Sequence, residues 1–98
     1  MWKVNEMKVM TTWIARPGAL REAVDRFLAG QGAPGEGVTL LGRWHSVDLS
    51  IGFSLFETEN PAALYQSAAP WAELMELKTV LVVEDGEAGP ALASVFKK

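Results

Sequence analysis

The chain contains no cysteine, which removes disulfide staples, thiolate chemistry and cysteine-ligated metals together. It has a single histidine, His45, so a multi-histidine zinc site cannot be assembled within one copy, and no metal site is expected. No apolar run approaches the length of a membrane span. The first residues lack the apolar core of a signal peptide, which makes a cytoplasmic location the expectation, with no membrane partner. Positive charge is sparse: nine Lys and Arg stand against twelve Asp and Glu, for a net charge of −3. Only Lys97-Lys98 are adjacent, and a nucleic-acid partner would need a positive stripe that this chain does not have. Charged residues are 21% and hydrophobic ones 49% of the composition, the balance of a globular chain and not of a disordered one. Ninety-eight residues suffice for one small domain. Met1 to Glu6 read as a tail, or as an alternative start ahead of Met7, leaving 7–98 as the domain.

What the chain does have is concentrated in Val38 to Glu57, VTLLGRWHSVDLSIGFSLFE, which reads as two strands joined by a tight turn. With a two-residue loop at Ser46-Val47, His45 pairs with Asp48. Trp44/Leu49, Gly42/Ile51, Leu40/Phe53 and Val38/Leu55 then share one face, because side chains alternate with period two. The other face collects His45/Asp48, Arg43/Ser50, Leu41/Gly52 and Thr39/Ser54. One face is apolar throughout, and the other is small and polar around an Arg and a His.

The remaining elements follow from periodicity and punctuation. Met7 to Ile14 is apolar on both faces, as suits a central strand. Pro17 suits a first helical turn, and Leu20, Ala23, Val24, Phe27 and Leu28 then form one helical stripe ending at Gly30. Gly30-Gln31-Gly32-Ala33-Pro34-Gly35 matches G-x-G-x-x-G literally. It follows a helix and precedes a strand, the inverse of the dinucleotide-binding context, so it reads as a connector. Asn60 and Pro61 signal an N-cap and first helical residue; Leu64, Ala68 and Trp71 face the sheet, and Pro70 ends or kinks the helix near Ala69. Met75 to Glu84 reads as a fourth strand, and Glu87 to Phe96 as a short helix interrupted early by Gly89-Pro90. The order β-α-β-β-α-β is the α+β, ferredoxin-like plan: an antiparallel sheet with two helices on one face, plus the C-terminal helix. The helices are expected over the Trp44/Ile51/Phe53/Leu55 face. Leu41, Phe56 and one side of the first strand would remain on the other, which a second copy would cover sheet to sheet.

Several runs carry a family resemblance. Thr12-Trp13-Ile14 before Arg16-Pro17-Gly18, Gly37-Val38 leading to Leu41-Gly42-Arg43-Trp44-His45, Gly52-Phe53 with Glu57, Asn60-Pro61-Ala62-Ala63-Leu64, Trp71 and Glu87-Ala88-Gly89 resemble the domain of unknown function 3303 family. That family is similar to the dimeric α+β barrel proteins. The Gly-Arg-Trp-His run is the most specific part, and Pro70 departs from the pattern. The resemblance implies a homodimeric barrel and no assigned activity. Fold analogy alone extends to antibiotic-biosynthesis-type monooxygenases, haem-degrading enzymes and stress-response barrels.

Arg43, His45, Ser50 and Ser54 share the polar face and could line a pocket between the sheet and its dimer partner. Arg43 would orient an acidic or carbonyl group of a small organic ligand, and His45 is the one candidate for proton transfer. The competing interpretation has Arg43 and His45 as hairpin-end residues at the dimer rim, bonded to Asp48 or a neighbouring carboxylate. Trp13 and Trp44 could stack on an aromatic ligand, although packing is the ordinary task of such rings in a small domain. His45-Ser46-x-Asp48 lacks the nucleophile elbow and orienting geometry of a hydrolase triad. Two functions follow: a non-catalytic small-molecule-binding or stress-associated dimer that needs no cofactor, or a cofactor-free or haem-linked monooxygenase using His45 as base or axial ligand. With one proton-transfer group in the pocket, the first is favoured, and whether the chain is an enzyme stays open at this point.

Overall fold

The computed structural model describes residues 6–97; most of the expected N-terminal tail lies outside them. Four strands, β1 (Met7–Ala15), β2 (Val38–His45), β3 (Gly52–Thr58) and β4 (Met75–Val82), alternate with helices α1 (Leu20–Arg26), α2 (Pro61–Ala68) and α3 (Asp85–Phe96). The sheet is antiparallel in the order β2-β3-β1-β4, the ferredoxin-like arrangement. β1, apolar on both faces, takes a central place as its composition requires.

The helices form where the local signals put them, with small differences. α1 starts at Leu20, because Arg16 to Ala19 close a hydrogen-bonded turn first, with Ala19 N–H donating to Arg16 O at 2.9 Å. Its end loosens into a wide π-type turn over Phe27–Gln31, where Gly30 takes φ 85°, a conformation that glycine adopts without steric cost. Leu28, expected in the apolar stripe, is 75% exposed, since the wider turn breaks the helical period. α2 is capped by Asn60, whose side chain accepts from Ala62 N–H at 3.0 Å. It stops at Ala68 before a 3₁₀ turn at Ala69–Trp71, where Pro70 cannot donate. α3 runs from Asp85 and continues through Pro90, two residues longer at its start than periodicity suggested.

The central hairpin differs most. Its loop spans Ser46 to Ile51, and the ladder pairs His45 with Gly52, Trp44 with Phe53 and Arg43 with Ser54. The cause is Asp48: one carboxylate oxygen accepts from Ser46 Oγ at 2.8 Å, Ser50 N–H at 3.0 Å and Ser50 Oγ at 2.7 Å. These bonds outweigh a two-residue turn that no Gly or Asn supports. The slip of four residues is even, so side chains keep their faces. A bulge between Leu40 and Gly42 then changes the parity of the lower half, pairing Leu40 with Phe56 and Val38 with Thr58.

Parity leaves open which face the helices cover; chain handedness settles that. The crossover β1-α1-β2 joins parallel strands and is bound by the right-handed rule. It sets the helices over Val9, Thr11 and Trp13 of β1 and their partners Phe56, Ser54 and Gly52, the face of Arg43 and His45 and not that of Trp44. Trp44 is accordingly 55% exposed, against the expectation that it lies beneath the helices, and Phe56 lies on the covered side. A compact cluster of Ala23, Leu74 and Met75, joined by Trp13, Trp71 and Leu77, anchors α1 and the 3₁₀ turn to the β1–β4 end of the sheet. α3 packs extensively on none of these elements.

Candidate functional site

Between the sheet and its two covering helices lies a cavity of about 290 Å³. Its floor is the strand row Thr11, Trp13, Ser54, Phe56 and Leu77, and its roof is Leu20, Val24 and Phe27 from α1 with Leu64, Ala68 and Trp71 from α2 and the following turn. The stripes meant for a core thus look onto a hollow: Leu20 and Phe27 keep 42% and 40% exposure. The Trp13 indole lies over the bare backbone of Gly52, and the small Ser54 beside it leaves room where a larger side chain would fill the layer.

Four of the five residues singled out from sequence, Trp13, Arg43, His45 and Ser54, line this one cavity. Ser50 does not; its hydroxyl is spent on Asp48. The cavity belongs to the sheet–helix side of a single chain, not to the space between sheet and dimer partner, for the handedness reason given above. Asp48 pairs with neither Arg43 nor His45. Three hydrogen bonds from Ser46 and Ser50 hold its carboxyl down at about 2, and the Ser46–Asp48 contact serves the loop.

Arg43 is fixed by two bonds. Nη2 donates to Gly32 O at 2.6 Å and Nε to Ser54 Oγ at a long 3.4 Å, while the guanidinium carbon lies 5.7 Å from the Phe27 ring centre. Among the described residues no carboxylate pairs with it, and burial holds its pKa below the ordinary arginine value. His45 meets the edges of Trp13 and Phe27, each with ring centres 5.2 Å away. Trp13 Nε1 donates to Ser54 Oγ at 3.4 Å.

Sequence reasoning missed the contribution of the Gly30–Gly35 connector. Gly32 supplies the carbonyl that anchors Arg43 and, with Ala33 and Pro34, one wall of the cavity. A Cβ on Gly32 would lie 2.9 Å from Phe27 and 3.1 Å from Arg43 Nη1, so the glycine permits the close approach. Leu49 was also missed: it lines the cavity from the hairpin loop with φ 66°. Its signal, an apolar residue amid Ser and Asp in a turn, was legible only once the loop length was known.

The domain of unknown function 3303 family matches residues 7–96, nearly the whole chain. The chain belongs to this family. No curated protein sequence matches this DUF3303 chain. Among solved structures, the crystal structure of PA3566 from Pseudomonas aeruginosa is similar, with a TM-score of 0.54 and 18% identity, covering 82% of this chain and 94% of that one. At that identity the likeness is one of fold, and it supports the ferredoxin-like assignment of this DUF3303 domain. Among the described residues no group of three His, Asp or Glu is placed to hold a metal, and no helix is long and apolar enough to cross a membrane.

Proposed function

We propose that this DUF3303 chain is a small-molecule-binding protein that works as a homodimer. The carrying observation is the cavity: it is concave, mostly apolar and holds a few convergent polar groups, the usual make-up of a ligand site. At about 290 Å³ it suits a small organic molecule, at the lower end of the roughly 300–1,000 Å³ of such pockets. Binding is favoured over monooxygenase chemistry because Arg43 and His45 are the sole ionisable lining residues. His45 is then the one group suited to proton transfer near neutral pH.

The homodimer reading is supported by the opposite face of the sheet. Met10, Thr12 and Ile14 of β1, Trp44 of β2, Phe53 and Leu55 of β3 and Val80 of β4 share it. Ile14, Trp44, Phe53 and Val80 are each at least 36% exposed, an apolar surface of the kind that marks an interface, bordered on β4 by Glu76 and Lys78. A second copy laid sheet to sheet would bury on the order of 2,000 Å². Two measurements test the proposal. Light scattering at micromolar concentration gives twice 10.7 kDa, and a thermal-shift screen of small organic compounds yields a hit whose effect disappears in a cavity-filling Ala68→Phe variant, a half-buried position in the roof. A clean monomer sinks the dimer, and a screen in which every hit survives the cavity-filling change sinks the pocket.

A further inference from the structure

The cavity's polar groups are unbalanced, and the imbalance specifies a ligand. A guanidinium carries five N–H donors; two of those on Arg43 are used, on Gly32 O and Ser54 Oγ. Ser54, only 2% exposed, accepts from both Trp13 Nε1 and Arg43 Nε. Its own hydroxyl hydrogen therefore has no acceptor among the described residues. His45, on the exposed rim of the cavity, adds a ring N–H that has no partner among the described residues. No Asp or Glu lines the cavity, although acidic residues outnumber basic ones in the chain. The half-buried Arg43 thus keeps N–H donors beyond the two it gives to Gly32 and Ser54, and among the described lining residues no carboxylate is there to take them.

Resting on the reading of the cavity as a binding site, we propose that its ligand is a small monocarboxylic acid with an aromatic or short aliphatic body. The carboxylate accepts from the Nη1 and Nη2 hydrogens that Arg43 does not spend on Gly32 and Ser54, the two-pronged geometry in which a guanidinium holds such a group most strongly, with the Ser54 hydroxyl beside it. The body lies between the Trp13 and Trp71 rings and the Phe27–Leu64 roof. A neutral amide of the same shape presents one acceptor where the acid presents two charged ones, and loses the ion pair in a partly desolvated site.

The experiment compares phenylacetate with phenylacetamide, and hexanoate with hexanamide, by titration calorimetry on the intact protein and on Arg43→Gln. Each acid is expected to bind the intact protein at least about ten-fold more tightly than its amide. Arg43→Gln, checked for native circular dichroism, is expected to bring the acids down to the affinity of the amides. Should the variant not fold, the acid–amide ratio on the intact protein decides alone. Equal binding of acid and amide overturns the carboxylate assignment while leaving the cavity as a site for neutral ligands. Failure of all four to bind at millimolar concentration overturns both this assignment and the binding function on which it rests.

Discussion

Gly52→Ala probes the cavity through its floor. Gly52 pairs with Trp13 across β1 and β3, and a Cβ placed there would lie 1.9 Å from the indole. Non-bonded carbons rest about 3.5–4.0 Å apart, so the ring must retreat by roughly 1.5–2 Å. The Ala23, Leu74 and Met75 cluster backs it on one side and the His45 edge on another. The open volume beside it is the cavity, into which it is driven. Overpacking costs about 1–3 kcal/mol, and loss of the Trp13–Ser54 bond adds about 1 kcal/mol, for a destabilisation of about 2–4 kcal/mol. Urea unfolding followed by circular dichroism measures it, with Gly86→Ala in α3 as the control. There a Cβ meets nothing within 4 Å, so that variant is expected to be neutral or gain a few tenths of a kcal/mol from helix propensity. A Gly52→Ala loss below about 1 kcal/mol, or one equal to the control, refutes the stacking of Trp13 on bare backbone.

Phe53→Glu places a carboxylate amid the open apolar face and is expected to convert the dimer to monomer in light scattering; a persistent dimer refutes sheet-to-sheet pairing. Asp48 has its pKa lowered to about 2 from 3.8, so its contribution to the hairpin loop is complete above about pH 4 and fades as pH falls toward 2. Asp48→Asn should abolish that acid limb in loop amide shifts, and a carboxyl titrating at its ordinary value contradicts the three-bond arrangement. Leu49, held at φ 66°, costs about 1 kcal/mol or more of backbone strain, which Leu49→Gly relieves while adding comparable chain entropy to the unfolded state. Stability should therefore stay within about 1 kcal/mol while probe binding weakens several-fold, and unchanged binding refutes a role for Leu49 at the cavity.

Much of this architecture was legible in the residues. Asn60-Pro61, Pro70 and the doubly apolar Met7–Ile14 stretch each carry a local physical reason for an element or its end, and those elements stand where the reasons put them. The polar set survived for a subtler cause. Strand alternation depends on register only modulo two, so a four-residue slip left Arg43, His45 and Ser54 together. Ser50 was lost because the same slip moved it from strand to loop. The bulge at Leu41 was invisible, since nothing in Leu40-Leu41-Gly42 distinguishes a paired residue from an extra one. Which face the helices cover was wrongly inferred from hydrophobicity, because that choice belongs to the hand of the β1-α1-β2 crossover and not to the residues on either face.

That error bears on function. A greasy face and a polar face, taken alone, put the greasy one under the helices and the polar one against a partner; the fold puts the polar one under the helices and leaves the greasy one uncovered. The helices then span a layer in which the small Ser54 leaves space and Arg43 brings charge, so burial there stays incomplete: Val9, Ala23, Val38, Leu74 and Met75 are the buried hydrophobic residues among those described. A domain of 98 residues gains stability chiefly from buried apolar area, and a hollow at this place forgoes part of it. Such a cost is offset when a ligand fills the layer, because any species that binds the folded state alone stabilises it by mass action. The flat face has the complementary character. Its apolar residues are flanked at one end by the Lys8–Glu57 pair at 3.4 Å, and broad rings such as Trp44 and Phe53 suit contact with another protein surface. The two sides of one sheet are therefore tested separately: the proposed anion-binding hollow by Arg43→Gln and the proposed pairing face by Phe53→Glu, each a substitution on one side of the sheet only.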